Sequence, residues 1–387
     1  MERTNDPERE RLLRQAIQRA GLKALLAWYT EDIVMSCGTW PCVGLTLCLY
    51  PAEGTPVFYA ASTEPDDVLP TGFRHRRFPA GSDAWSVLHG LVYADLKALG
   101  VPPGQLGIAA DDGQHAPPSF AGETPPLTQR AVQAILGEFQ TCDATEVFSR
   151  CGQRKTGREI EALRRTNAAA GAGLEAFHAA LIPGATETTV ASSVESAIQC
   201  FSGRNGCRLA RGWAHVQGGR HIYEAGTFSR SSALRLEEGD LVLLELGTCV
   251  DGYWSDLTRT ACVGKISERQ RELLAAVKEA QSVAIGAIRP GASHESIDTA
   301  ARNSLSRSGF GPGFIHGCGH HVGFRYHDRG PSLQSGSNQP LGEGMVITVE
   351  PGSYGAEFGG GARFEDNVLV VPSGAEVLSP MDKSWKP

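Results

Sequence analysis

Apolar residues recur at helical spacing in several stretches of the chain and alternate in others. In residues 7–20 they form one helical stripe, and Gly21 follows as a stop signal. The segments ALLAWY, VGLTLCLY and PVFYA are typical of short strands, with Gly and Pro residues between them. Residues 1–150 therefore predict an α/β domain. The Gly- and Pro-rich residues 111–127 predict a surface loop within it.

Beyond residue 150, helices and strands follow one another in an order that repeats. A helix is predicted over residues 158–181, ending at Pro183-Gly184, and a second helix follows it. Another helix begins at Ser267 with a capping box and ends at Pro290-Gly291. The segments PGATETTVASSVESAI and PGASHESIDTAARNSL align after the two breaks. This weak repeat predicts a duplicated fold with its site between the halves.

A hairpin is predicted between the two copies, in LVLLELGTCVDGYWSDLTRT. Asp251-Gly252 is a dipeptide that accepts the positive φ angles of a two-residue turn. Counting outward from that turn places Glu245 opposite Thr258, so that Glu245, Asp256 and Thr258 share one face. Val242, Leu244 and Leu246 then point to the other face, towards a core.

Two carboxylates on one face of an apolar hairpin repel each other unless a cation or a proton lies between them. More candidates follow the second copy. The segments MVITVEPG and ARFEDNVLVV predict another strand pair, with acids at Glu350 and Glu365. The segment HGCGHHVGFRYHDRG adds His316, His320 and His327, while His321 is expected to face away from His320, at the surface or in packing. Imidazole and carboxylate groups form a ligand set for one or two divalent first-row metal ions.

Composition narrows the class of protein. The 387 residues are 41% hydrophobic and 20% charged, as in an ordinary globular protein of two domains. A net charge of −7 does not favour a nucleic-acid partner. The ten cysteines are scattered and no apolar run reaches the length of a membrane span, so we expect a cytoplasmic protein with reduced thiols and no membrane partner.

The order DG-Y-x-x-D-x-T-R-T, H-G-x-G-H-x-x-G-x-x-x-H-D, E-P-G and R-x-E-D resembles the pita-bread-fold metallopeptidases. That family includes aminopeptidase P, prolidase, methionine aminopeptidase and the non-metal enzyme creatinase. The N-terminal segment and KTGREIEALRR at 155–165 resemble the aminopeptidase P, prolidase and creatinase branch. The resemblance implies an α+β pita-bread fold with a pseudo-twofold duplicated catalytic domain over 151–387. A smaller creatinase-like α/β domain over 1–150 would precede it, and the protein would form a homodimer.

The resemblance also implies roles for individual residues. Glu350 would act as general base, His316 and His327 would hydrogen-bond substrate or the tetrahedral intermediate, and Arg363 would support the metal ligands or bind a substrate carboxylate. The ions would be Mn, Fe, Co or Zn. Carried over by position, the five metal ligands are Glu245, Asp256, His320, Glu350 and Glu365.

Two positions depart from the family pattern. The first ligand is normally aspartate, and Glu245 moves its carboxylate by about 1.5 Å, more than the ~0.2 Å tolerance of metal–ligand distances. Either the backbone or the Glu245 rotamer adjusts to absorb this displacement, or one of the two metal positions is weakened or lost. Second, many peptidases of this family carry a histidine where this chain has Phe228. His221, earlier in the same segment, could be brought in by the intervening loop, and His221 and Phe228 are candidates for substrate binding.

These residues and the resemblance leave three alternative hypotheses for the function. The first is a metal-dependent hydrolase of a C–N bond in a small amino-acid-like substrate or short peptide, similar to Xaa-Pro peptidases. The second is a non-peptidase enzyme of the same fold, a small-molecule amidohydrolase or lyase with an altered or lost metal site. The third is a non-catalytic binding module, which the intact His320, Glu350 and Glu365 argue against.

Overall fold

The computed structural model describes residues 6–81, 83–110, 129–224, 230–379 and 381–384. The chain divides into two compact units, Met1–Gly152 and Gln153–Pro387, referred to below as the N-terminal and C-terminal units. The surface loop predicted over residues 111–127 and the candidate Phe228 lie outside the described residues.

The N-terminal unit is built on one six-stranded sheet with the order β4-β3-β2-β1-β5-β6. Its first helix begins at Asp6, whose side chain accepts the backbone N–H groups of Glu8 and Arg9. The strands are β1 (Ala24–Ala27), β2 (Thr46–Pro51), β3 (Val57–Ala61), β4 (Arg74–Phe78), β5 (Leu106–Ile108) and β6 (Thr141–Asp143). The helices are α1 (Pro7–Arg19), α2 (Thr30–Cys37), α3 (Ala84–Ala98), α4 (Gln129–Leu136) and α5 (Thr145–Gln153).

The C-terminal unit contains two helix pairs, each followed by strands. Capping boxes start the first helix of each pair, Thr156 with Glu159 and Ser267 with Gln270. The helices are α6 (Gly157–Ala180), α7 (Glu187–Gln199), α8 (His221–Glu224), α9 (Glu268–Ala287) and α10 (His294–Arg307). The strands are β7 (Ala210–Gly218), β8 (Leu241–Val250), β9 (Tyr253–Cys262), β10 (Val346–Val349), β11 (Gly352–Gly355), β12 (Gly360–Arg363), β13 (Asp366–Val371) and β14 (Gly374–Val377). They form the sheets β7-β8-β9, β10-β13-β14 and β11-β12.

The β8–β9 hairpin has the predicted register. Asp251 and Gly252 form its turn with φ angles of 52° and 89°, and Glu245 pairs with Thr258. Strand β7 adds a third partner, because His215 pairs with Glu245 on the other side. The structure thus confirms the predicted pairing of this hairpin.

The two faces of this sheet join different cores. Val242, Leu244 and Leu246 pack with residues of α6 and α7. Leu241 and Leu243, on the opposite face, belong to a second core with residues of α9, α10, β10 and β13. Glu245 lies on that second face, so its carboxylate points into the space between the two halves of the C-terminal unit.

None of the helices in the described part of the chain combines the length and apolar character that crossing a bilayer requires.

Candidate metal centre

The five predicted ligands converge in the C-terminal unit. Glu245 comes from β8, Asp256 from β9, His320 from the segment after α10, Glu350 from the end of β10 and Glu365 from the connection between β12 and β13. Within each of three overlapping groups, the ligand atoms lie within 4.8 Å of one another. These groups are Glu245 with Asp256 and Glu365, His320 with Glu350 and Glu365, and Asp256 with His320 and His327.

A cavity of about 150 Å³ opens onto these groups. It is lined by Glu245, Asp256, His316, Gly317, Gly319, His320, His327, Ser332, Gln334, Glu350 and Arg363.

A glycine allows His320 to approach strand β10 closely. Gly319 has a φ angle of 154°, and a Cβ atom there would collide with the carbonyl oxygen of Thr348. The backbone N–H of Thr348 donates to the carbonyl of His320 at 2.7 Å, and the backbone N–H of His320 donates to the Thr348 hydroxyl at 3.1 Å. These bonds fix the backbone from which the imidazole reaches the carboxylates.

The His320 ring presents a lone pair to two carboxylates. Its Nδ1 lies 2.9 Å from the carbonyl oxygen of His321, an acceptor, so Nδ1 carries the proton and Nε2 does not. Nε2 lies 3.2 Å from Asp256 Oδ2 and 3.7 Å from Glu350 Oε1. Burial lowers the pKa of His320 to about 4, so the ring is neutral at pH 7. Three electron-rich atoms facing one another fit a cation between them.

Two carboxylate oxygens of the candidate ligands lack hydrogen-bond partners among the described residues. Asp256 Oδ1 and Glu365 Oε1 are buried, and no donor among the described residues reaches them. Burial raises the pKa of Asp256, and the charges of Glu365 and Glu350 raise it further. Burial and Glu365 also raise the pKa of Glu350. Unpartnered buried carboxylate oxygens are costly unless a metal ion or a proton binds them, and the residues present fit a divalent ion.

Glu245 differs from the other acids because protein donors serve both of its oxygens. The Tyr326 hydroxyl donates to Oε1 at 2.5 Å. Oε2 lies 2.6 Å from the Thr258 hydroxyl and pairs with Nη2 of Arg363. Thr258 Oγ1 also lies 2.7 Å from Glu365 Oε2, and its single proton can serve only one of the two carboxylates at a time.

Arg363 and His316 are joined through Tyr354. Arg363 Nη1 donates to the Tyr354 hydroxyl at 2.9 Å, and this hydroxyl donates to His316 Nε2 at 3.0 Å. His316 Nδ1 donates to the carbonyl of Gly317 at 2.8 Å, so both of its ring nitrogens have protein partners. Burial lowers the pKa of His316 to about 4 and that of Arg363 to about 10. The geometry thus favours the supporting role predicted for Arg363 over carboxylate binding.

His327 lies beside the candidate metal ligands. Its ring centroid is 3.9 Å from that of His320, and burial, with smaller effects of His320 and Arg325, lowers its pKa to about 2. The following residue, Asp328, accepts the backbone N–H groups of Phe324 and Arg325 at 3.0 and 2.6 Å. These bonds close the turn that carries His327 into the cavity.

Asp328 is itself held by a buried lysine. Lys155 Nζ donates to Asp328 Oδ2 at 2.6 Å, and the two side chains are 0% and 6% exposed. Sequence reasoning missed Lys155, Asp328 and Tyr326 as site residues. The signal available was the lysine of KTGREIEALRR and the Tyr-His-Asp order at 326–328.

Other candidates lie away from the cavity lining. His221 Nδ1 is 2.9 Å from Glu187 Oε1, and this carboxylate also accepts from the backbone of Gly218 and Ser232. His221 is therefore held against α7 and does not line the cavity described above. His321 is fully buried and its Nε2 lies 3.0 Å from Nε2 of His294, so its expected packing role is correct and the surface alternative is wrong.

Comparisons with known proteins identify the class. The sequence pattern of metallopeptidase family M24 matches residues 161–372. The chain is 32% identical over 277 residues to an Xaa-Pro dipeptidase of Lactobacillus helveticus, covering 69% of this chain and 72% of that one. It is 36% identical over 230 residues to an Xaa-Pro dipeptidase of Pyrococcus furiosus, covering 59% and 64%. The chain belongs to metallopeptidase family M24.

A solved structure extends the similarity to the whole chain. The Xaa-Pro dipeptidase from Bacillus anthracis superimposes with a TM-score of 0.80 at 25% identity, covering 98% of this chain and 99% of that one. The predicted α+β pita-bread fold is confirmed. The chain is accordingly a hydrolase of a divalent-metal-dependent family, as expected from the sequence.

Proposed function

We propose that this enzyme cleaves the peptide bond before proline in dipeptides or other short peptides, using a divalent ion held by Asp256, His320, Glu350 and Glu365. The observation that supports it most directly is the lone pair of His320 Nε2 facing Asp256 Oδ2 at 3.2 Å, together with the buried oxygens Asp256 Oδ1 and Glu365 Oε1, which are unpartnered among the described residues. The Xaa-Pro dipeptidase names of the relatives support the substrate class.

When bound, a divalent ion polarises a carbonyl group and lowers the pKa of water. Glu350 accepts the proton from the attacking water, because it lines the cavity with its side chain 17% exposed and burial, with the charge of Glu365, raises its pKa. His327 contributes a neutral imidazole N–H that stabilises the developing oxyanion. Three carboxylates and one imidazole suit Mn, Fe, Co or Zn, and the majority of oxygen donors makes Mn²⁺ the first ion to test.

The cavity sets the substrate size. Its volume of about 150 Å³ lies below the usual range for drug-sized ligands, which favours a short peptide or an amino-acid-like amide over a larger substrate. A small-molecule amidohydrolase is the second candidate. Arg363 favours it, because its Nε, Nη1 and Nη2 all donate to protein acceptors and leave no obvious clamp for a peptide carboxylate.

The expected homodimer and the roles of His316 and His221 remain proposals, supported by the resemblance to the two-domain peptidase branch. Light scattering on the purified full chain tests the dimer, which should give twice the 41.2 kDa chain mass.

The functional experiment uses the full chain, stripped with a chelator and reloaded with Mn²⁺. The substrates are a series of Xaa-Pro dipeptides, the matched Xaa-Ala dipeptides, longer peptides with proline in second position, and amides of single amino acids. We expect Mn²⁺-dependent hydrolysis of Xaa-Pro peptides, with Xaa-Ala at least tenfold slower, and little turnover by Glu350→Gln. Turnover of the amides alone moves the assignment to an amidohydrolase. No metal-dependent turnover of any substrate contradicts the proposal.

A further inference from the structure

The Tyr326 side chain enters the group formed by Glu245, Asp256 and Glu365. Its hydroxyl donates to Glu245 Oε1 at 2.5 Å. Asp256 is a second partner of this hydroxyl, whose single proton can serve only one of the two carboxylates at a time. The oxygen of a neutral phenol thus lies between two of the three carboxylates that could bind an ion at this position.

Packing fixes Tyr326 in this place. The residue is fully buried, its ring stacks on His327 with centroids 4.8 Å apart, and it meets the edge of Trp254 at 6.3 Å. A ring held on two sides cannot swing away without disturbing His327.

The guanidinium of Arg363 already supplies a positive charge to the group of Glu245, Asp256 and Glu365. Arg363 pairs with Glu245 Oε2, and the two side chains are only 2% and 4% exposed. A second divalent ion beside Glu245 would displace this pair and repel a buried guanidinium. If the ion took Glu245 from Arg363, the guanidinium would remain as an uncompensated buried charge.

Two of the other four candidate ligands differ from Glu245 in that one oxygen of each lacks a partner within the described part of the chain. Asp256 Oδ1 and Glu365 Oε1 are unpartnered among the described residues, whereas both oxygens of Glu245 have donors. The longer glutamate explains the difference, because one extra methylene moves the carboxylate by about 1.5 Å, beyond the ~0.2 Å tolerance of a metal site.

We infer that this chain binds a single divalent ion, at Asp256, His320, Glu350 and Glu365, and that the hydrogen-bonded set of Tyr326, Glu245 and Arg363 takes the place of a second ion. This inference rests on the proposed function, since it presupposes that the first ion binds. It assigns Tyr326 as a positioning residue that determines the metal content of the site.

The test counts ions and examines their coupling without using activity. The stripped full chain is equilibrated with Mn²⁺, freed of loosely bound ion and analysed for metal per chain, and the electron paramagnetic resonance spectrum is recorded. We expect one Mn²⁺ per chain with the six-line spectrum of an isolated ion. Two ions with an exchange-coupled spectrum overturn the inference while leaving the proposed function intact. No bound ion contradicts the proposed function itself.

Variants test the cause. Glu245→Asp combined with Tyr326→Phe should raise the content towards two Mn²⁺ and introduce a coupled spectrum. Tyr354→Phe is the matched control, because it likewise removes a tyrosine hydroxyl. The Tyr354 hydroxyl is bonded to Arg363 and does not contact Glu245, so this variant should still bind one ion. A double variant that folds, by near-ultraviolet circular dichroism, and still binds one ion refutes the role of Tyr326 and Glu245. If it does not fold, Tyr326→Phe alone decides, since it should bind a second ion weakly in a calorimetric titration.

Discussion

Replacing Lys155 with methionine should destabilise the C-terminal unit strongly, although Lys155 does not line the cavity. Methionine has a similar shape but cannot donate to Asp328. The carboxylate would keep the two backbone N–H groups of Phe324 and Arg325 and lose the ammonium 2.6 Å away. An unpaired charge would then remain in a place where the two side chains are 0% and 6% exposed.

The magnitude follows from that burial. Breaking a buried ion pair by removing one partner costs about 3–5 kcal/mol. For a unit of this size, each kcal/mol lowers the melting temperature by about 2–4 °C, so the expected shift is about 6–20 °C. Asp328 also closes the turn that carries His327, so we expect the folded variant to lose turnover more than substrate affinity.

The assay is thermal and denaturant unfolding of the full chain, with Lys155→Met, Asp328→Asn and the double variant compared in a double-mutant cycle. The double variant should be more stable than Lys155→Met, because it removes the unpaired charge. Arg271→Met is the matched control. It breaks an exposed helix pair with Glu268 and should cost about 0.5 kcal/mol or less. A loss below about 1 kcal/mol for Lys155→Met would show that the Lys155–Asp328 pair does not stabilise the unit.

Three further predictions concern the metal centre. Glu350→Gln should lower kcat by about 10²–10⁴ at saturating Mn²⁺, because it removes the general base, and an unchanged kcat would exclude that role. The increase in melting temperature on adding Mn²⁺ should grow between pH 5 and pH 8. The raised pKa values of Asp256 and Glu350 keep protons on the metal-free site, and the ion must displace them, so a flat profile would contradict this linkage. Gly319→Ala should weaken Mn²⁺ binding at least tenfold by titration calorimetry, since the added Cβ would strike Thr348, whereas Gly286→Ala, in α9 with open space around it, should not.

Local pattern was sufficient to predict the β8–β9 hairpin. The turn dipeptide Asp251-Gly252 fixes the register, and period-two alternation then places Glu245 and Asp256 on one face. Strand β7 was not predicted as an element, because Gly212 and Gly218 interrupt its pattern. Its pairing with β8 stabilises it, and no local signal reports a cross-strand partner.

The partners of the candidate ligands were harder to predict for the same reason. Tyr326 meets Glu245, and Lys155 meets Asp328, across long separations in the chain. Sequence reasoning identified Glu245 as the unusual position but had no means of finding the donors that surround it. His221 shows the converse, because its place in the sequence suggested the cavity, whereas the buried Glu187 holds it elsewhere.

The most direct test of the metal centre is anomalous diffraction at the manganese absorption edge, from crystals of the full chain grown with Mn²⁺. We expect a strong peak within about 2.5 Å of donor atoms of Asp256, His320, Glu350 and Glu365. Well-ordered side chains at these four residues without a peak between them, in crystals that contain Mn²⁺, would contradict the account.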